Sequence, residues 1–256
     1  MTTSTAISQR RDGFVVTLTL QRPPHNFVDA ATMRALADRL VALDDDADCR
    51  AIVLAAEGKS FCAGADFSAV PAGGAAMDPG EFYVDAMRLF DNKKPLVGAV
   101  HGAAVGAGVG LALAADFRVG CAAARFSVNF NRLGFHPGFG LSHTLPRLIG
   151  AQRAALLFYT GRRIGGEEAL SIGLIDELAP DDAVLARAQA LAAEIAASAP
   201  LAVQSTRATL RGALAQDVRA LNRRELEEQT LQFASQDFRE GVEAMAQRRT
   251  PRFIGR

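Results

Sequence analysis

The sequence predicts an α/β fold in which short strands alternate with helices and a long helical region closes the chain. Three observations carry this. The first two-thirds alternates apolar, strand-like runs with helix-like runs, the pattern of parallel strands joined by crossovers. Two glycine-rich stretches each join a strand-like run to a helix-like run. From Asp181 onward the chain is rich in Ala, Leu, Arg and Glu and reads as nearly all helix. The division this implies is a core over 1–180 and a helical region over 181–256.

Residues 14–20 (FVVTLTL) alternate as a strand does. Pro23 and Pro24 mark 21–26 as a turn. Over 30–43, Met33, Leu36, Leu40 and Leu43 share one helical face. An acidic exit, 44–48, leads to a buried strand over 51–55. Residues 68–80 are small and rich in Gly and Pro, so they read as a loop, followed by a helix over 81–91. Strands at 96–100 and 117–121 flank a helix over 106–115. A helix opens over 167–171 and a short strand is expected at 175–178. The alanine-rich tail makes a poor core alone and is expected to pack on the main body or on another subunit.

At 256 residues the chain buries a sizeable core without staples. Basic and acidic residues number 28 each, so the net charge is zero. That balance points to neither nucleic acid nor an anionic membrane as a partner. Cys49, Cys62 and Cys121 lack CxxC spacing and no signal peptide is evident, so reduced thiols and a cytoplasmic location are expected. The apolar stretch 96–115 is interrupted by glycine and histidine and reads as strand, turn and helix rather than as a membrane span.

The chemistry concentrates in the glycine-rich stretches, Phe61-Cys62-Ala63-Gly64-Ala65-Asp66-Phe67 and the run from His101 to Gly110. Small residues let backbone approach a ligand with its N–H groups free to donate. Two such sources aimed at one oxygen make an oxyanion hole. A dinucleotide-binding reading fails, because Gly106-Ala107-Gly108-Val109-Gly110 is not G-x-G-x-x-G and the acidic residue due some twenty positions on is missing.

The chain resembles the crotonase, or enoyl-CoA hydratase/isomerase, superfamily from about Phe14 to its end. Arg22-Pro23 with Asn26, the Phe61–Asp66 stretch and Lys94-Pro95 through Gly102 carry the likeness. So do Ala107-Gly108, Leu111 to Asp116, Gly134, Pro137-Gly138-Phe139-Gly140, Leu145 to Gly150, Thr160-Gly161-Arg162, Ala169 to Leu174, Arg248-Arg249 and Pro251-Arg252-Phe253. Their shared order and spacing make the resemblance specific. It implies a crotonase-like core of repeated ββα turns and a helical C-terminal trimerisation region, assembled as a homo-trimer or hexamer. It further implies an acyl-CoA substrate in fatty acid metabolism, with coenzyme A part of the substrate and no separate cofactor or metal. The thioester oxygen is expected between the N–H groups of Ala65 and Ala107. His25, Phe27, Ala63, Asp66, Phe67, Gly110, Phe130 and Gly138 are expected to line the acyl-CoA site. Arg22, His25, Arg248, Arg249 and Arg252 are the candidate phosphate contacts.

The departures from the family matter as much. Its hydratases activate water with two glutamates, and the positions that match them hold Gly110 and Phe130. Some relatives carry an aspartate at the position of Gly138 instead. A proton carrier must then come from elsewhere. His136, in the loop beside the missing glutamate, is the first candidate, since imidazole titrates near neutrality; His143 is a weaker one. Asn129 and Asn131 can orient water but not take a proton. Glu81 and Asp85 share a helical face that reads most simply as solvated. Asp66 reads as a cap, Asp116 and His101 as structural, and Cys62 as a small buried residue. Two functions of different class remain open: an enzyme that stabilises a thioester enolate, and an acyl-CoA-binding protein without turnover.

Overall fold

The computed structural model describes residues 6–66 and 80–256. Phe67 and residues 68–79 of the expected loop lie outside the described residues. The chain begins with β1 (Ile7–Asp12), β2 (Val15–Leu20), α1 (Ala30–Asp44), β3 (Ala51–Ala56) and β4 (Ser60–Cys62). It continues through α2 (Gly80–Arg88), β5 (Leu96–Val100), β6 (Ala103–Val105), α3 (Ala107–Ala114), β7 (Phe117–Gly120) and β8 (Arg125–Ser127). After a 3₁₀ turn (Asn129–Leu133) come α4 (Leu141–Ile149), α5 (Ala151–Thr160), β9 (Arg163–Gly165), α6 (Gly166–Ser171) and β10 (Glu177–Leu178). Four helices follow, α7 (Val184–Ala196), α8 (Pro200–Arg211), α9 (Leu214–Gln232) and α10 (Gln236–Ala246).

Two sheets form the centre. The larger runs β1-β2-β3-β5-β7-β10, parallel except for β1. Its inner strands β3 and β5 carry apolar residues on both faces and are buried throughout, apart from the last residue of β3, as expected of parallel strands covered on both sides. The smaller sheet runs β4-β6-β8-β9. Helix α3 touches β5 of the larger sheet and β4 and β6 of the smaller, and all eight of its residues are buried. A helix apolar on every side belongs inside. Helix α7 lies across β2, β3, β5 and β7. Asp29 caps α1 by accepting from the Thr32 N–H at 2.8 Å, and Met33, Leu36, Leu40 and Leu43 form the buried face that the spacing predicts.

Several elements were not predicted. Strand β1 has a largely exposed, charged sequence (ISQRRD), so no apolar alternation announces it. The strands of the smaller sheet are three residues each, too short for a period to show. Helix α4 holds Pro146, which argues against a helix from sequence. The helix expected over 81–91 ends at Arg88 and finishes as a 3₁₀ turn. In the tail, α8 buries none of its residues and leaves Leu201 and Leu210 exposed at 81% and 72%.

Candidate active site

The two glycine-rich stretches emerge side by side. Strands β4 and β6 pair in parallel, with Cys62 opposite Ala104. Ala65 stands three residues beyond Cys62, and Ala107 three residues beyond Ala104. The stretches touch, because a Cβ on Gly108 would come within 2.1 Å of the Cys62 carbonyl. Gly106 turns the chain into α3 with φ 53° and ψ −114°, a conformation only glycine adopts readily. Ala107 is then the first helical residue, whose N–H has no partner within the helix. Around Ala65, the Val28 N–H donates to the Gly64 carbonyl (3.0 Å) and the Asp66 N–H to the Val28 carbonyl (2.9 Å). The N–H of Ala65 itself takes no part in that pairing. Among the described residues neither the Ala65 nor the Ala107 N–H has an acceptor.

One helical turn beyond Ala107 the wall becomes aromatic. A Cβ on Gly110 would lie 2.5 Å from ring carbons of Phe139, a fully buried side chain. Phe139 packs edge-on against Phe82 and Phe90, with ring centroids 5.9 and 6.5 Å away. Phe130 is buried and faces the Gly106 turn, 3.6 Å from where a Cβ would stand. A Cβ on Gly138 would fall 1.9 Å from the Tyr83 hydroxyl and 2.5 Å from Gln229 Nε2. Side chains from elsewhere therefore occupy the spaces at Gly110 and Gly138.

Three residues of α9, spaced i, i+4 and i+7, hold this wall in place. The Gln232 Oε1 accepts from the His136 N–H (2.6 Å), and Gln229 Nε2 donates to the His136 carbonyl (2.8 Å). Glu225, fully buried, accepts from the N–H groups of Gly140 (2.7 Å) and Ser142 (3.0 Å), from the Ser142 hydroxyl and from Asn222 Nδ2 (3.0 Å). Phe139 and Gly140 are both left-handed (φ 64° and 68°), at the mouth of α4 where N–H groups favour an anion. Burying a side chain this polar costs little when its oxygens are hydrogen-bonded this fully. These α9 residues were missed from sequence because polar side chains on a charge-rich helix read as solvated.

The remaining candidates fall in different places. His136 is half-buried, and its Nδ1 lies 2.7 Å from the Pro137 carbonyl. Its cavity, about 420 Å³, is shared with Asn131, Gln232, Asp237 and Arg256, and neither Ala65 nor Ala107 lines it. His143 lies on α4, with Nε2 buried and without a hydrogen-bond partner among the described residues. The solvated reading of Asp85 is corrected. It is buried and ion-paired with Arg34 (2.9 Å) and Arg88 (2.7 Å), whereas Glu81 is exposed. Burial pushes the Asp85 carboxyl up, but hydrogen bonds from Arg88 and Arg34 outweigh it and hold the group below the usual range.

At the rim, His25 and Phe27 are exposed, with their rings 6.1 Å apart, and the Ala63 N–H donates to the His25 carbonyl (2.9 Å). Buried Asn26 ties this segment to β4 through the Glu57 and Ser60 carbonyls (2.6 and 2.7 Å). Arg22 is ion-paired with Asp29 (2.7 Å) and Asp66 (3.3 Å), which offsets its charge. Arg249 is engaged by Glu240, whose carboxyl that contact lowers to about 2; Arg248 and Arg252 are exposed. Burial raises the Cys62 thiol to about 12, so it is no nucleophile. Asp116 is structural, pairing with Arg207 (2.7 Å) and Arg211 (3.2 Å), and the His101 ring meets the Gly58 carbonyl at 3.1 Å.

Two sheets enclosing a buried helix, with helical layers after them, make this a crotonase-fold protein. The chain belongs to the enoyl-CoA hydratase/isomerase family, whose model matches residues 10–256. It is 32% identical to a probable enoyl-CoA hydratase of Bacillus subtilis (strain 168), covering 98% of this chain and 99% of that one. It is 33% identical to a carnitinyl-CoA dehydratase of Salmonella typhi, over 99% and 100%. The crystal structure of carnitinyl-CoA hydratase from Mycobacterium avium superposes with a TM-score of 0.90 at 33% identity, over 99% and 100%. Among the described residues, no helix is long and apolar enough to cross a membrane.

Proposed function

We propose that this protein binds acyl-CoA thioesters and turns them over through an enolate held by the Ala65 and Ala107 N–H groups, without the two glutamates of the hydratases. The observation that carries the reading is the pair of N–H donors at equal offsets beyond the paired strands β4 and β6. Such donors contribute about 3–4 kcal/mol each when aimed at a developing oxyanion. The names of the relatives, which act on enoyl-CoA and carnitinyl-CoA, support a CoA thioester as the ligand. Calorimetry with an acyl-CoA, free CoA and the free acid tests this. The thioester is expected to bind in preference to the acid, and no binding of any CoA species would overturn the proposal.

A second reading, an acyl-CoA-binding protein without turnover, is favoured by one observation: the Phe139 ring fills the space beside Gly110. A turnover screen over several acyl-CoAs separates the two.

His136 does not enter the reacting set in this proposal. Its backbone is held by Gln229 and Gln232, and it lines a cavity that neither Ala65 nor Ala107 lines. His136→Gln is expected to lower kcat by less than about tenfold, because general acid–base groups typically contribute about 10²–10⁴-fold. A hundredfold loss with unchanged acyl-CoA affinity would restore His136 as the proton carrier.

We also propose a homo-trimer or a hexamer. The motive is α8, with Leu201 and Leu210 exposed and no buried residue, a surface that closed symmetry would cover. Light scattering is expected to give three or six times the 27.1 kDa chain mass, and a concentration-independent monomer would sink the idea.

A further inference from the structure

Helix α8 reverses the usual order of a surface helix. Such a helix ordinarily turns apolar residues to the body and charges to water. In α8 the half-buried stripe is Pro200, Val203, Gln204, Arg207 and Arg211, spaced as one helical face. Both charged residues of the helix therefore lie on the side that meets the body. The exposed side carries Leu201, Ala202, Ser205, Ala208, Thr209 and Leu210, and no charge. Apolar burial on its own body thus contributes little to keeping α8 in place.

One carboxylate does most of that work. Arg207 Nε donates to Asp116 Oδ2 (2.7 Å), and Arg211 Nη1 donates to Asp116 Oδ1 (3.2 Å). Arg207 also donates to the Asn92 carbonyl and to Asn92 Oδ1 (3.2 Å), and Arg211 to the Ala114 carbonyl (3.2 Å). Asp116, between α3 and β7, is itself fixed, because its Oδ2 accepts from the Leu96 N–H of β5 at 2.9 Å. Among the described residues, the one other hydrogen bond joining α8 to the body runs from Arg147 to the Leu210 carbonyl (3.3 Å). The Arg207 and Arg211 side chains are only 9% and 14% exposed, and among the described residues no other acid pairs with either. Burial pulls the Arg211 guanidinium down to about 10; Asp116 opposes this, while Arg207, Arg147 and Arg118 add to it. The group is still charged at neutral pH. Removing one partner of a buried ion pair is costly because the other charge is left uncompensated, whereas replacing the whole set by apolar residues is often neutral.

We infer that the exposed face of α8 packs against the neighbouring copy of this chain, and that Asp116 is the positioning residue that keeps this face in place. In a closed ring every copy presents the same residues, so a charge on the shared surface would meet its own kind; this face carries none. Its small side chains leave room for a close approach. Without the charge on Asp116, the two guanidinium groups regain water only when α8 leaves the body, and the interface leaves with it. The inference rests on the reading of a trimer or hexamer and deepens it, by naming the surface and the residue that sets it.

The test is a dilution series of the full chain followed by light scattering, on the wild type, on Asp116→Asn, and on Asp116→Asn combined with Arg207→Met and Arg211→Met. Asp116→Asn keeps the shape and an acceptor for the Leu96 N–H but removes the charge. Its assembly is expected to half-dissociate at a concentration at least about a hundredfold above that of the wild type. Hydrogen exchange locates the change: the α8 amides are expected to exchange at least about tenfold faster, and those of β3 and β5 as in the wild type. The triple variant has no unpaired charge and is expected to return to within about tenfold of the wild-type midpoint. An Asp116→Asn protein that assembles like the wild type overturns the inference. So does a triple variant that assembles no better than Asp116→Asn, since the loss would then not come from unpaired charge. A wild-type chain that stays monomeric at every concentration overturns the assembly reading itself, a result distinct from an assembly indifferent to Asp116.

Discussion

Hydration of crotonyl-CoA by this protein is expected to run at least about 10⁴-fold slower than by a glutamate-bearing hydratase of the family assayed beside it. Adding water needs a base to take its proton and an acid to protonate carbon, each near 3 Å from the reacting atoms and each worth about 10²–10⁴-fold. Gly110 and Phe130 supply neither. Two carboxylates packed beside the aromatic wall are already committed. Glu225 spends its oxygens on Gly140, Ser142 and Asn222, and Asp85 is held ionised between Arg34 and Arg88. A carboxylate held below its usual range is a poor base. Loss of the enoyl thioester absorbance measures the rate. A value within tenfold of the control would mean that the water-activating groups lie elsewhere in the fold.

That expectation was legible in the sequence; its physical cause was not. The strands at 96–100 and 51–55 and the helix over 30–43 follow from apolar runs of the right period, and each reappears within a residue. The glycine-rich stretches announced backbone donors, because small residues before a helix leave N–H groups open. What the sequence lacked was contact across the fold. Gly110 reads as a missing glutamate, but nothing local says that the Phe139 ring packs against it. Gly138 reads as a site-lining position where some relatives carry an aspartate, but the hydroxyl that fills the space beside it belongs to Tyr83 on another helix. Glu225, Gln229 and Gln232 look solvated on a charge-rich helix until α9 is laid against the 136–142 segment. His136 stood out through its neighbours in the chain; what the sequence does not show is that its backbone is held by Gln229 and Gln232 and that it lines a cavity lined by neither Ala65 nor Ala107.

The largest structural effect is expected from a glutamate at position 110, where the proposed function puts one of the hydratase carboxylates. Gly110→Glu places a Cβ 2.5 Å from the Phe139 ring and a carboxylate against an apolar wall. Replacing glycine inside a helix gains at most about 1 kcal/mol of propensity. Overpacking costs about 1–3 kcal/mol, and burying an unpaired carboxylate adds more, so the substitution is expected to destabilise strongly. Phe139→Gly removes the obstacle. Its own cost resembles that of other buried Phe truncations, about 3–5 kcal/mol, reduced by relief of the left-handed backbone at φ 64°, about 1–2 kcal/mol. The two substitutions share one space, so their effects are not additive. The double variant is expected to be more stable than the sum of the single losses predicts, by about 2 kcal/mol. Denaturant unfolding of the wild type, both single variants and the double variant closes this cycle. Additive losses would show that Phe139 and Gly110 do not exclude each other's side chains. Crotonyl-CoA hydration in the double variant is expected to stay near that of the wild type, because Phe130, which the proposed function matches to the second carboxylate, is unchanged.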